Sequence, residues 1–168
     1  PGEPQFVGLC TPIAEQAGVV PGLRVGEALA RCPELELVVA DPGGVDSASD
    51  EITERIEGLG AAVEVIEPGT WRFATHGLER LYGGLDGVIR RLRSVLPVGA
   101  DGRIGVAPTP FASLLAAQES MSRTPLVIDD EVPDFLAPLP ADRLPLTPKV
   151  IHELANMGLT TIGQVASL

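Results

Sequence analysis

Aromatic residues are almost missing from this chain. One Trp, one Tyr and four Phe make up 4% of 168 residues, while hydrophobic residues reach 45%. A core is therefore within reach, but it has to be built from Val, Leu, Ile and Ala. Basic residues are also few: 12 Lys and Arg stand against 23 Asp and Glu, giving a net charge of −11 and a pI near 4.5. Nucleic-acid modules are ordinarily basic, because affinity comes largely from neutralising phosphates. By itself the chain is ill suited to tight DNA binding, and DNA is expected to be held weakly at most. There are only two cysteines, Cys10 and Cys32, with no CxxC pair and no His at ligand spacing. That excludes a zinc module or disulfide scaffold and leaves two small buried hydrophobes in a reducing cytosol; no metal and no cofactor is expected. No run approaches the ~18 apolar residues of a membrane helix, and no signal peptide is present. A cytoplasmic location follows as the expectation, and Pro1-Gly2-Glu3-Pro4 reads as a truncated start.

Several elements can be read in order along the chain. Gln5–Cys10 is a short apolar strand candidate. Thr11-Pro12 pairs an N-cap residue with proline at the first helical position, opening a turn of helix over Ile13–Ala17. Val25–Arg31 reads as a second short helix and Leu35–Val39 as a strand. Asp41–Asp46 looks like a Pro/Gly-rich link, and Ser47–Leu59 like a helix with Ile52, Ile56 and Leu59 inside and Glu51 paired with Arg55 outside. Val63–Ile66 and Trp71–Thr75 form two strands joined by a Glu67-Pro68-Gly69 turn, since proline presets φ and glycine tolerates φ > 0. Leu85–Leu96 is strongly amphipathic. Arg103–Ala107 and Leu126–Ile128 are strand candidates on either side of a helix opened by Thr109-Pro110. Phe135–Pro140 looks like a linker. Thr147-Pro148 caps a helix with Val150, Ile151, Leu154 and Met157 inside, and Thr160 begins another.

Few residues carry obvious chemistry. Arg90, Arg91 and Arg93 share one side of the Leu85–Leu96 helix and are the chain's only basic cluster; they form either a solvated face or a phosphate-contacting one. His76 beside Gly77 reads as an exposed turn residue. Gly83-Gly84 and Gly87 lack the Lys-Ser/Thr of a phosphate loop and read as a helix entry. Asp129-Asp130-Glu131 reads as a solvated loop, because consecutive carboxylates rarely converge on one cation.

In succession, these stretches resemble the Y-family DNA polymerases, the translesion enzymes. Ala14-Glu-Gln-Ala-Gly-Val19 and Ala28-Leu-Ala-Arg-Cys-Pro-Glu-Leu35 are similar to the family's fingers. The hairpin and the helix after it, with Val98–Ala117, are similar to its palm. Leu154–Leu168 is similar to its thumb helix-hairpin-helix, although Leu146-Thr-Pro148 stands where the first Gly-x-Gly hairpin is expected. The resemblance implies an α/β (α+β) fold: a palm-like mixed sheet with helices on one face, a small fingers subdomain and a partial helical thumb. The implied limits are 5–45 for fingers, 46–128 for palm and 129–168 for linker and partial thumb.

The departures from the family pattern shape the functional expectation. With the family motif Ser-Ile-Asp-Glu-Ala-Tyr-Leu-Asp-Val-Thr-Gly laid on Gly77, the catalytic Asp-Glu pair falls on Gly69 and Thr70, and the later Asp on Ala74. Glu64 and Glu67 lie before the turn and do not replace them. The triphosphate-contacting Tyr and Arg fall on Pro12 and Glu15, and a lysine on Pro110, so no nucleotide site of the family kind is expected. Thr109-Pro110-Phe111-Ala112 has the form found in the ImuB branch, catalytically inactive homologues that serve bacterial mutagenic repair. The resemblance thus implies a non-catalytic adaptor in error-prone translesion synthesis, not an enzyme. Its partners would be an error-prone C-family polymerase, a RecA-like accessory protein and the sliding clamp. The alternatives are an active translesion polymerase and a weak, sequence-independent DNA-binding module. In the family the first palm strand precedes this chain, so the gap is expected to be filled by Gln5–Leu9 folding back or by a second copy.

Overall fold

A computed structural model describes residues 4–97, 102–121 and 124–168. The chain divides into two compact units, residues 1–47 and 48–168.

The first unit is built on two short helices, α1 (Pro12–Gln16) and α2 (Val25–Arg31). Thr11 caps α1, its Oγ1 accepting the Ala14 N–H, and proline stands at the helix start where no donor is needed. Ala14, Val19 and Ala28 are buried together, with Val7, Cys10, Leu23, Cys32 and Leu35 packed against them. Gln5–Cys10 is not a strand. It makes a single bridge, Phe6 with Arg24, flanked by Val7 N–H to Leu23 O at 2.8 Å and Val25 N–H to Gln5 O at 3.0 Å. Its fold-back is therefore onto residues 22–25. Leu35–Val39 also forms no strand: among the described residues its one backbone hydrogen bond is the local Leu35 N–H to Cys32 O at 3.1 Å.

The Pro/Gly-rich stretch after Asp41 is helical, not a link: α3 runs Pro42–Glu57, across the division between units. The cause is local. Pro42 stands in the first turn, and Asp41 Oδ1 accepts the Gly44 N–H at 2.9 Å, so cap and proline together offset the low helix propensity of Gly43 and Gly44.

In the second unit, β1 (Glu64–Glu67) and β2 (Thr70–Arg72) form an antiparallel hairpin with Glu64 opposite Arg72, Val65 opposite Trp71 and an irregularity between Val65 and Glu67. Helices α4 (His76–Tyr82) and α5 (Leu85–Val95) follow. Gly83 and Gly84 join them with φ of 77° and 100°, values open to glycine and costly for most other residues. Ile56, Ala61, Leu78 and Val88 form the core, closed over by Trp71, Phe73, Tyr82, Leu92 and Val95. The few aromatics are anchored by polar handles: Tyr82 OH donates to Leu59 O at 3.0 Å and Trp71 Nε1–H to Thr53 Oγ1 at 2.8 Å.

A second sheet pairs β3 (Gly105–Val106) with β4 (Leu126–Val127) in parallel, with α6 (Pro110–Glu119) as the crossover. Gly105 lets α6 lie directly on β3, since a Cβ there would stand 2.1 Å from Ala117 N. Thr109 Oγ1 caps α6 through Ala112 N–H at 3.2 Å. The α/β class therefore stands, and among the described residues the strands make two two-stranded sheets, one antiparallel and one parallel.

The chain ends in α7 (Val132–Leu136), a 3-10 turn at Ala141–Arg143, α8 (Pro148–Asn156) and α9 (Ile162–Ala166). Part of the expected linker is thus the helix α7. Leu154 of α8 is buried, but Val150 and Met157 are exposed, not inside. A capping box between Thr161 and Gln164 opens α9. Arg143 fastens the 3-10 turn to the end of α6, its Nη1 donating to Gln118 Oε1 at 2.9 Å.

Candidate functional site

The hairpin tip explains its own sequence. Glu67, Pro68, Gly69 and Thr70 make a two-residue turn in which Pro68 presets φ and Gly69 sits at φ 90°, the arrangement of a turn that requires glycine at its second corner. Gly69 is exposed at the tip with nothing within 4 Å of where a Cβ would be. Thr70 is half-buried on β2 opposite Glu67, and Ala74 is exposed between β2 and α4. Beside them Arg72 pairs across the strands with Glu64 at 2.5 Å. Both side chains face water, so the pair contributes at most about 1 kcal/mol.

The donors at these positions do not suit a divalent cation. Glycine has no side chain, alanine a methyl, and threonine one neutral hydroxyl, whereas hard divalent cations take several carboxylate or carbonyl oxygens. Among the described residues no group of three or more His, Cys, Asp or Glu could hold a metal ion.

The other expected positions lie elsewhere. Arg90, Arg91 and Arg93 are exposed on α5, while Val88 and Leu92 of the same helix lie in or against the core shared with Trp71 and Phe73, and Ile89 is buried. Arg93 is already engaged in an interaction within the chain. Pro110 stands at the start of α6, as Pro12 does in α1. Glu15 is exposed on α1, with the Cys10 thiol 3.8 Å from its carboxylate. Partial burial, and then the charge and hydrogen bond of Glu15, push the Cys10 thiol up from its ordinary pKa. Cys10 and Cys32 are half-buried and unpaired.

Two features escaped sequence reasoning. An open groove of ≈ 710 Å³ is lined by Thr75, His76, Gly77, Glu79 and Arg80, because His76 begins α4 instead of ending a turn. A second, of ≈ 490 Å³, includes Asp142, Ile151 and His152. The one available signal for the first was Glu79 placed four residues after Thr75, whose hydroxyl it accepts across the first turn of α4.

The impB/mucB/samB family profile matches residues 2–118. The chain belongs to the impB/mucB/samB family. Curated relatives of this family member include a protein named DNA polymerase IV from Caulobacter vibrioides, 26% identical over 92% of this chain and 40% of its own length. Others of the same name come from Salmonella typhimurium (29% identity, 90% of this chain, 44% of the relative) and Shewanella sp. (30%, 95% and 45%). The chain thus spans less than half the length of these relatives. Among solved structures, DinB from Sulfolobus solfataricus superposes with a TM-score of 0.76 at 21% identity, covering 97% of this chain and 49% of that one. A Y-family DNA polymerase chimera gives 0.77 at 21%, covering 98% and 49%. These likenesses establish a Y-family polymerase-like fold.

The expectation of a non-catalytic adaptor, and of a chain that is not an enzyme, is corrected by these relatives, which carry the name DNA polymerase IV along nearly the whole of this impB/mucB/samB chain. The error lay in reasoning from three positions on one hairpin to the activity of a whole protein. A two-metal centre draws its carboxylates from more than one segment. Among the described residues no helix is long and apolar enough to cross a membrane.

Proposed function

We propose that this chain is part of a template-directed DNA polymerase of the DNA polymerase IV kind, acting in synthesis across damaged DNA. The observation that carries the reading is the match to proteins of that name over 90–95% of the chain. In this reading the hairpin and α5 form one packed block around Trp71 and Leu92, and Arg90, Arg91 and Arg93 lie on its outer side as contacts to the DNA backbone. Such contacts position a duplex and carry no direct base information. The cations used in nucleotidyl transfer do not fit the donors at positions 69, 70 and 74, and no step is assigned to these residues.

Within the family, Thr109-Pro110-Phe111-Ala112 supports kinship with the ImuB branch. That kinship concerns descent, and with it the protein partners the branch implies, an error-prone C-family polymerase, a RecA-like accessory protein and the sliding clamp; the activity is read from the DNA polymerase IV relatives. Primer extension by the full-length protein on undamaged and damaged templates tests the reading, and failure to extend either would overturn it.

A further inference from the structure

The helices that follow β4 make a group of their own. Helix α7 packs on α9, and α8 and α9 both pack on the 3-10 turn. The backbone ties are internal as well: Ala141 N–H donates to Thr160 O at 2.9 Å, Ile162 N–H to Leu139 O at 2.9 Å and Gly163 N–H to Ala137 O at 3.0 Å. Gly163 comes so close that a Cβ there would stand 2.9 Å from that of Ala137. Among the described residues, no side chain of this group belongs to the buried clusters around Ile56 and Ala14. Asp129, Asp130 and Glu131 lead into it, all exposed, and a run of like charges favours an open course over a packed one.

Among the described residues, the hydrogen bonds and ion pairs between this group and the preceding chain all belong to Arg143. Its Nη1 donates to Gln118 Oε1 at 2.9 Å, while Nη2 stands 3.9 Å from Glu119 Oε1. The second contact is too long for a hydrogen bond, and with side chains 43% and 42% exposed it contributes little. The contact with Gln118 is the one that fixes geometry. Gln118 is itself held, because Arg103, two residues before β3, donates Nη1 to Gln118 O at 2.7 Å. That carbonyl lies at the C-terminal end of α6, where a cation is favoured. Arg143 thus grips a residue already anchored to β3.

We propose that the terminal helices form a body hinged at residues 129–131, and that Arg143 is its latch, a positioning residue that sets where α7–α9 stand relative to α6. Latched, the guanidinium on Gln118 selects one orientation. Unlatched, the body turns as a unit, because its packing and its capping box lie within it. Loss of the latch therefore changes placement and leaves the helices intact.

Pulsed electron paramagnetic resonance tests the proposal, with nitroxides on Ser113→Cys of α6 and Asn156→Cys of α8. The background carries Cys10→Ser and Cys32→Ser, and circular dichroism checks folding. With the latch intact, one narrow distance distribution is expected. Arg143→Ala and Gln118→Ala should each broaden or displace it with an unchanged dichroism spectrum, and the two together should add nothing further. Gln118→Glu keeps an acceptor for the guanidinium and should keep the narrow distribution. A distribution that Arg143→Ala leaves as it was, that is already broad with the latch intact, or that Gln118→Glu broadens as Gln118→Ala does overturns the proposal.

Discussion

The indole N–H of Trp71 donates to Thr53 Oγ1 at 2.8 Å, and the Thr53 hydroxyl in turn donates to Ser49 O at 2.8 Å. One relay thus ties the hairpin to helix α3 and sets the face that β2 turns to the core. Trp71 is the only tryptophan in the chain, so its fluorescence reports on this junction alone. Thr53→Val keeps the shape, removes the acceptor and leaves the indole donor unpaired. We expect a loss of about 1 kcal/mol, the usual cost of an unmatched donor that is only partly buried. Urea unfolding followed at Trp71 should show a lower midpoint with an unchanged slope; an unmoved midpoint would remove the relay from the account.

Local signals were the legible part of this fold. Val25–Arg31 was readable from its spacing alone, and the caps at Thr11 and Thr109 were readable because a hydroxyl followed by proline has one ready use. The apolar stripe of α5, Val88, Ile89 and Leu92, followed from periodicity. Elements that depend on partners distant in sequence were not legible. Leu35–Val39 has the composition of a strand but pairs with no strand among the described residues, and the run after Asp41 was hidden by two glycines that a cap and a proline outweigh. Helix α4 was masked by Gly77 at one end and Gly83-Gly84 at the other. The hairpin's position was readable, but the function of the whole protein was not, because three side chains at a turn do not determine what other segments supply.

The arginine face of α5 can be tested by salt. Replacing Arg90, Arg91 and Arg93 together by Ala in the full-length protein should make the slope of log K against log salt less steep by about 2–3, if each neutralises one phosphate. Affinity should fall by a similar factor on unrelated sequences, because backbone contacts do not read bases. Titrations at several salt concentrations with two unrelated primed duplexes measure both. An unchanged slope would show that these arginines only solvate the surface.

Cys10 offers a pH-dependent readout. Burial first, and Glu15 second, hold its thiol protonated above its ordinary range, so the nucleophilic thiolate forms only at higher pH. Alkylation of Cys10, followed by peptide mass spectrometry, should have its midpoint above that of an ordinary free thiol. Glu15→Gln removes the charge and should lower that midpoint and speed alkylation at pH 8. A rate at pH 8 that is the same in both proteins would contradict the role given to Glu15.

The central claim, membership in an active DNA polymerase, is tested most directly by single-nucleotide incorporation. The full-length protein is incubated with Mg²⁺, a primed template and one nucleotide at a time, on an undamaged template and on one carrying a bulky lesion. Extension of the primer by the nucleotide complementary to the undamaged template, together with measurable incorporation opposite the lesion, is the result this account predicts. No extension on either template, under conditions in which a DNA polymerase IV relative extends both, would contradict it.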